Sequence, residues 1–224
     1  MALDPLGDGK SSVEMIASMG DDLMVVNAAR VSFAKLSTQI TEGDKKLIRY
    51  LARNNHITPF FHPQIQFRIK MPIHICREWF RHTVGFSRNE VSRRYVDTPP
   101  ECWIPKPEEI RERDPNLKQG SKPNPIHNAT EIHENIMKST IEASMDAYQK
   151  LLDSGVAPEV ARCVLPVCHY SEYIETSSLY GYARLCKLRL DPHALKEIQL
   201  YADAIDKVLS ERFPVSWAAL MGRV

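Results

Sequence analysis

The sequence predicts an α/β chain of the α+β type: one domain spanning residues 1–224, with a small mixed or antiparallel sheet and several long helices. Three observations carry this reading. Residues 64–71, Gln-Ile-Gln-Phe-Arg-Ile-Lys-Met, alternate polar and apolar side chains without a break, as a strand with one buried face requires. Residues 43–54 place Leu47, Ile48 and Leu51 on one helical face, behind Thr41 and Asp44 at capping-box spacing. Glu131 to Asp153 reads as a long helix that stops at Ser154-Gly155.

The remaining elements follow in order. Residues 1–10 read as a loose tail and Ser12 to Met19 as a short strand. Asp21 or Asp22 is placed to cap a helix running to Arg30. Pro72 ends the alternating strand and suits the first turn of a helix over Ile73 to His82. In that helix Arg77 and Arg81 share one face. Residues 97–128 are rich in proline and charge and read as a long surface excursion, the kind of loop that is usually functional or mobile. Ala157 to Leu165 predicts a short helix, Cys168 to Ile174 a strand, Thr176 to Leu188 a helix, and His193 to Phe213 the last helix. No internal repeat is present.

Composition sets the broad class. Of 224 residues, 43% are hydrophobic and 25% charged, ordinary for a globular protein with a real core. The 29 Lys and Arg balance the 28 Asp and Glu, so the net charge is +1. A general nucleic-acid coat protein is far more basic, so anion binding here requires local clustering. The five cysteines, an odd number without a CxxC pair, favour a reducing compartment. Residues 1–9 lack the apolar run of a signal peptide, and no stretch is apolar enough to span a membrane. The working class is a cytoplasmic protein with no membrane partner.

The chemistry concentrates between Arg77 and Tyr95. Arg77, Arg81, Arg88, Arg93 and Arg94 interleave with Trp79, Phe80, Phe86 and Tyr95. Guanidinium forks beside aromatic rings suit a flat anionic ligand such as a nucleotide or a flavin. The bland alternative is a solvated basic face. A second is a non-catalytic nucleotide- or nucleic-acid-binding surface built on Arg77–Arg94. Cys168-His169 invites a thiolate mechanism, and a cysteine-dependent methyl transferase is a third reading. Neighbours on a strand face opposite ways, however, so His169 does not serve Cys168. No metal-ligand spacing, Rossmann fingerprint or P-loop is present.

Arg81-His82-Thr83 followed by Ser92-Arg93-Arg94-Tyr95 resembles the flavin-dependent thymidylate synthase family, whose signature is Arg-His-Arg, seven variable residues, then Ser. The likeness extends to Ala28–Phe33, His56–Phe60, Glu159–Pro166 and Leu188–Ala194, in the family's order along nearly the whole chain. The resemblance implies methylation of dUMP to dTMP. The carbon comes from 5,10-methylene-tetrahydrofolate and the reducing equivalents from NADPH through bound FAD, without an enzyme cysteine nucleophile. It also implies a homotetramer with shared active sites and no nucleic-acid partner.

By matching position, Arg189 is the catalytic residue, set by the uracil to favour ionisation at N3. Glu78, Arg81, Glu90, Val91, Ser92, Arg93, Arg94, Arg162 and Arg189 are placed to hold dUMP. His56, Thr58, Arg81, His82, Thr83, Ser178, Tyr180, Arg184 and His193 are placed to hold FAD. Several features depart from the pattern, among them Ser178, Tyr180 and Arg184, which stand where the family often has Asn, Arg and Asn. Thr83 replaces the second signature arginine, and eight residues, not seven, separate it from Ser92. Glu78 stands where the family often has glutamine. Arg88, inside the inserted stretch, is expected to restore the missing charge toward FAD or dUMP.

Overall fold

The computed structural model describes residues 2–118 and 120–223. Its principal sheet has four strands in the order β1 (Ser12–Met19), β2 (Gln64–Pro72), β6 (Tyr170–Ser178), β3 (Phe86–Glu90). A second sheet pairs β4 (Arg111–Arg113) antiparallel with β5 (Ser121–Pro125), inside the stretch read as an excursion. The helices are α1 (Asp22–Arg30), α2 (Glu42–Arg53), α3 (Ile73–Trp79), α4 (Ala129–Glu131), α5 (Ser139–Asp153), α6 (Pro158–Ala161), α7 (Leu179–Arg189), α8 (Lys196–Arg212) and α9 (Pro214–Met221).

Two compact units divide the chain. One comprises Met1–Ile69, Trp79–Asn89 and Tyr173–Val224; the other comprises Lys70–Glu78 and Glu90–Glu172. In the first, the inward side chains Ile65, Phe67 and Ile69 of β2 are fully buried, as the alternation requires. Helices α7, α8 and α9 pack on one another, and α9 packs on α2. The Asp22 carboxylate accepts from the backbone N–H groups of Val215 and Ser216 at 2.9 and 2.8 Å, satisfying two otherwise orphaned donors of α9. In the second unit, the backbone of residues 167–170 bonds to Ile73, His74, Trp103 and Glu101. Ser144 Oγ donates to the Val164 carbonyl, tying α5 to the turn after α6.

Several expectations change. Residues 2–10 are not a loose tail. Leu3 pairs with Val13, and the Asp4 carboxylate accepts from the amides of Gly7 and Gly9. Helix α3 ends at Trp79 rather than His82. The chain turns through His82 N–H to Trp79 O and Phe86 N–H to Thr83 O, with Gly85 at φ +79°, so Arg77 and Arg81 do not share a helical face. The long helix from residue 131 is interrupted by a π-helical turn over Ile132–Lys138. Four of the labelled strands and helices had no forecast, β3, β4, β5 and α9; Pro214 starts α9 in the first-turn position proline favours.

The capping box of α2 is complete. Thr41 Oγ1 accepts from Asp44 N–H, and Asp44 returns the bond to Thr41 N–H while pairing with Arg30. Thr41→Ala is expected to lower stability by about 1 kcal/mol, read from the urea midpoint; an unchanged midpoint contradicts the assignment.

Candidate active site

The second unit holds a cavity of about 400 Å³. Glu90, Val91, Ser92 and Arg93 line one side, as the chain leaves β3. Arg162 and Leu165 line another from the turn after α6. Ile73, His169 and Ser171 complete it. The segment after β3 is pinned by Val91 N–H donating to Glu172 O at 2.9 Å, and by a turn in which Ser92 O accepts from Tyr95 and Val96. Ser92 Oγ accepts from the Arg94 amide at 3.3 Å, so its local partner is a donor and not a base. Among the described residues no base is hydrogen-bonded to the hydroxyl to activate it as a nucleophile. Arg93 Nη1 donates to the Thr98 carbonyl, and Arg162 Nε donates to the Glu159 carbonyl at 3.2 Å. Each guanidinium is anchored at one nitrogen and keeps further N–H groups for an anion. Ser171 Oγ donates to Glu90 Oε1 at 2.5 Å. The cavity thus offers cationic donors from two arginines and acceptors around Glu90.

The first unit holds a different cluster. Arg88 Nε pairs with the buried Glu175 carboxylate on β6, and Trp79 Nε1 donates to both carboxylate oxygens at 3.2 and 3.3 Å. The guanidinium lies 4.8 Å from the ring centres of both Phe80 and Phe86. Its Nη1 donates to the His82 carbonyl at 2.6 Å, and its Nη2 is buried without a hydrogen-bond partner. Burial drives the Glu175 pKa upward, against the pull of Arg88 and Trp79. Arg189 Nε donates to His82 Nε2 at 2.9 Å, which places the His82 ring proton on Nδ1. Burial first, then the charges of Arg189, Arg88 and Arg184, push the His82 pKa down to about 4.

The two groups of family-matched residues fall out as follows. Glu90, Val91, Ser92, Arg93 and Arg162 meet in the cavity. Arg94 pairs with Glu159 at 3.1 Å on the exposed surface of the same unit, and Glu78 lies half-buried at the end of α3. Arg189, His82 and Arg184 come together in the first unit, while Arg81 and Thr83 are exposed there. Thr58 opens the short 3₁₀ turn Thr58–Phe61, which packs on α7, and Tyr180 meets Phe61 ring to ring at 5.1 Å. His56 is edge-on to Tyr50. Ser178 is buried and caps α7 by accepting from Gly181 N–H at 3.1 Å. His193 is exposed and binds Asp191.

Arg88 is half-buried and turned inward: its Nε is committed to Glu175 and its guanidinium faces the rings of Phe80 and Phe86, so the fold competes for the charge expected at FAD or dUMP. The reading of a solvated basic face is corrected, since Arg88 is turned inward, Arg94 is paired and Arg93 lines the cavity. His169, Ser171, Ile73 and Leu165 were not foreseen. Strand periodicity puts His169 and Ser171 on one face, and that signal was available once Glu90 was a candidate.

The cations of the first unit fit a flavin cofactor: Arg189, Arg88 and Arg184 all act on His82, which suits the phosphate of such a group. Among the described residues no cluster has the ligands for a metal ion, and no helix is long and apolar enough to cross a membrane. All five cysteines are free.

Fold and cavity together define a mixed α/β protein built to bind a small anionic ligand. Residues 14–215 match the model of the thymidylate synthase complementing protein family, Thy1, and the chain belongs to that family. It is 37% identical over 222 residues to the flavin-dependent thymidylate synthase of Thermosipho africanus, covering 95% of this chain and 91% of the relative. The corresponding enzyme of Kosmotoga olearia is 39% identical over 212 residues, with 95% and 90% covered. Among solved structures, the UMP/dUMP methylase PolB of Streptomyces cacaoi bound with 5-Br dUMP superposes with a TM-score of 0.84 at 30% identity, covering 95% of each chain. The chain is accordingly an enzyme of the flavin-dependent thymidylate synthase type, a methyltransferase.

Because the native His82 pKa lies below its ordinary 6.5, the stability this residue contributes is full above pH 6.5 and is lost as pH falls toward 4. An NMR titration of the His82 ring is expected to show a midpoint near 4. A midpoint at 6.5 or above contradicts the cluster.

Proposed function

We propose that this enzyme methylates dUMP to dTMP, with 5,10-methylene-tetrahydrofolate as carbon donor, NADPH as reductant and FAD as cofactor. The observation that carries the reading is the cavity that joins Glu90–Arg93 to Arg162 in a chain of this family. Arg93 and Arg162 supply guanidinium forks for the phosphate, and the wall between them is small enough for a single nucleotide. PolB, solved with 5-Br dUMP and with 5-Br UMP, supports a uracil nucleotide as the ligand.

The chain's own groups have distinct tasks. Arg162 and Arg93 bind and orient the nucleotide by its anionic end. Ser92 touches it without attacking. Arg189 does not line the cavity, and the family resemblance alone assigns it to the uracil; there it favours loss of the N3 proton, because a fixed cation stabilises the charge that develops on the ring. His82, kept neutral, holds Arg189 through Nε2 and leaves Nδ1–H as a donor. Bound FAD supplies the redox chemistry between NADPH and the transferred carbon. Cys168 does not line the cavity, which supports a mechanism without a thiolate nucleophile. The active enzyme is a homotetramer with shared sites in the cytoplasm, where the free cysteines stay reduced.

The purified protein is expected to form dTMP from dUMP, methylene-tetrahydrofolate and NADPH only when FAD is present. Absence of product from folded, FAD-loaded protein overturns the reading. Arg189→Ala is expected to lower turnover at least about tenfold, roughly 1.4 kcal/mol of transition-state stabilisation; normal turnover removes the role given to Arg189.

A further inference from the structure

We propose that His169 is a specificity-determining residue of the cavity, accepting a hydrogen bond from a sugar hydroxyl of the bound nucleotide. The inference rests on the uracil-nucleotide reading above and adds a residue and a recognised group to it. The residue is held from several sides, and one contact orients its ring. His169 Nδ1 faces the Pro166 carbonyl at 2.7 Å, and the His169 amide donates to the same oxygen at 3.0 Å. The His169 carbonyl accepts from Ile73 N–H at 3.0 Å, and the residue pairs with Cys102 in an antiparallel bridge.

A carbonyl can only accept, so the ring proton sits on Nδ1 and the neutral imidazole presents Nε2 as a lone-pair acceptor. Nε2 has no hydrogen-bond partner among the described residues. Burial and the nearby Arg93 charge hold the His169 pKa below its ordinary value, against the Pro166 carbonyl and Glu90, so the acceptor persists at neutral pH.

The surroundings say which donor it takes. Ser171, two residues on, spends its hydroxyl proton on Glu90, so this wall presents acceptors: Nε2 of His169 and the Glu90 carboxylate. The influence of Arg93 on His169 marks the cationic wall as its neighbour. In a nucleoside monophosphate the sugar lies between phosphate and base, and the sugar hydroxyl is the donor closest to the phosphate. A phosphate held by Arg93 and Arg162 therefore brings that hydroxyl to the acceptor wall. Leucine in place of His169 would keep much of the volume and lose the acceptor.

The test is a ligand-and-residue cycle read by calorimetry on the whole enzyme, with dUMP and 2′,3′-dideoxyuridine 5′-monophosphate. The wild-type protein is expected to bind the dideoxy compound about tenfold more weakly than dUMP, the scale of one hydrogen bond. His169→Leu is expected to bind dUMP about tenfold more weakly and to discriminate little between the two compounds. His169→Gln, which restores an acceptor, should recover part of the discrimination. Equal affinity of the wild type for both ligands overturns the proposal without any variant. A Leu variant that keeps the full wild-type ratio overturns it as well. Failure of the wild type to bind dUMP at all defeats the underlying nucleotide reading and is seen before the hydroxyl is compared.

Discussion

The carboxylate of Glu175 sits where strand alternation would place an apolar side chain, in an interior strand of the principal sheet and fully buried. A charge there is tolerable only if it is paired and hydrogen-bonded. Arg88 and Trp79 meet that demand, and in doing so they fix the arginine-rich segment. Arg88 reaches Glu175 from β3, is flanked by Phe80 and Phe86, and holds the His82 carbonyl from the inside. His82 in turn receives Arg189. One buried acid therefore sets the position of the segment that carries the family's signature.

The second unit partitions charge differently. The two cavity arginines, Arg93 and Arg162, are each tethered by one bond to a backbone carbonyl and keep their remaining donors for a ligand, whereas Arg88 is consumed by the fold. Glu90, Ser171 and His169 supply acceptors to the same cavity. A cavity that offers both cationic donors and fixed acceptors selects both for an anion and for what lies beside it. The same residue type thus does two jobs within one short stretch, and burial decides which.

Much of this was legible in the sequence, and the reason differs from element to element. Strand β2 and helix α2 carry their own evidence, an unbroken alternation in one and a complete capping box in the other. Strand β3 does not: Phe-Ser-Arg-Asn-Glu has no β pattern, and it is held extended by its neighbours in the sheet and by Glu175, distant in sequence. Helix α9 depends on Asp22 accepting at its N-terminus and on Asp206 receiving Trp217 Nε1, contacts invisible to local periodicity. The cavity residues Glu90–Arg93 and Arg162 follow from the family motif. His169 and Ser171 escaped because each looks ordinary alone, and His169 was weighed only as a partner for Cys168 and set aside with it.

The dependence of the signature segment on Glu175 is tested most directly by a double-mutant stability cycle with Arg88→Met, Glu175→Leu and both together. Each single change strands a buried charge and is predicted to cost about 3–5 kcal/mol, while the double change removes both charges and recovers most of that loss. Losses that simply add, with the double variant as unstable as the two singles summed, would contradict the account.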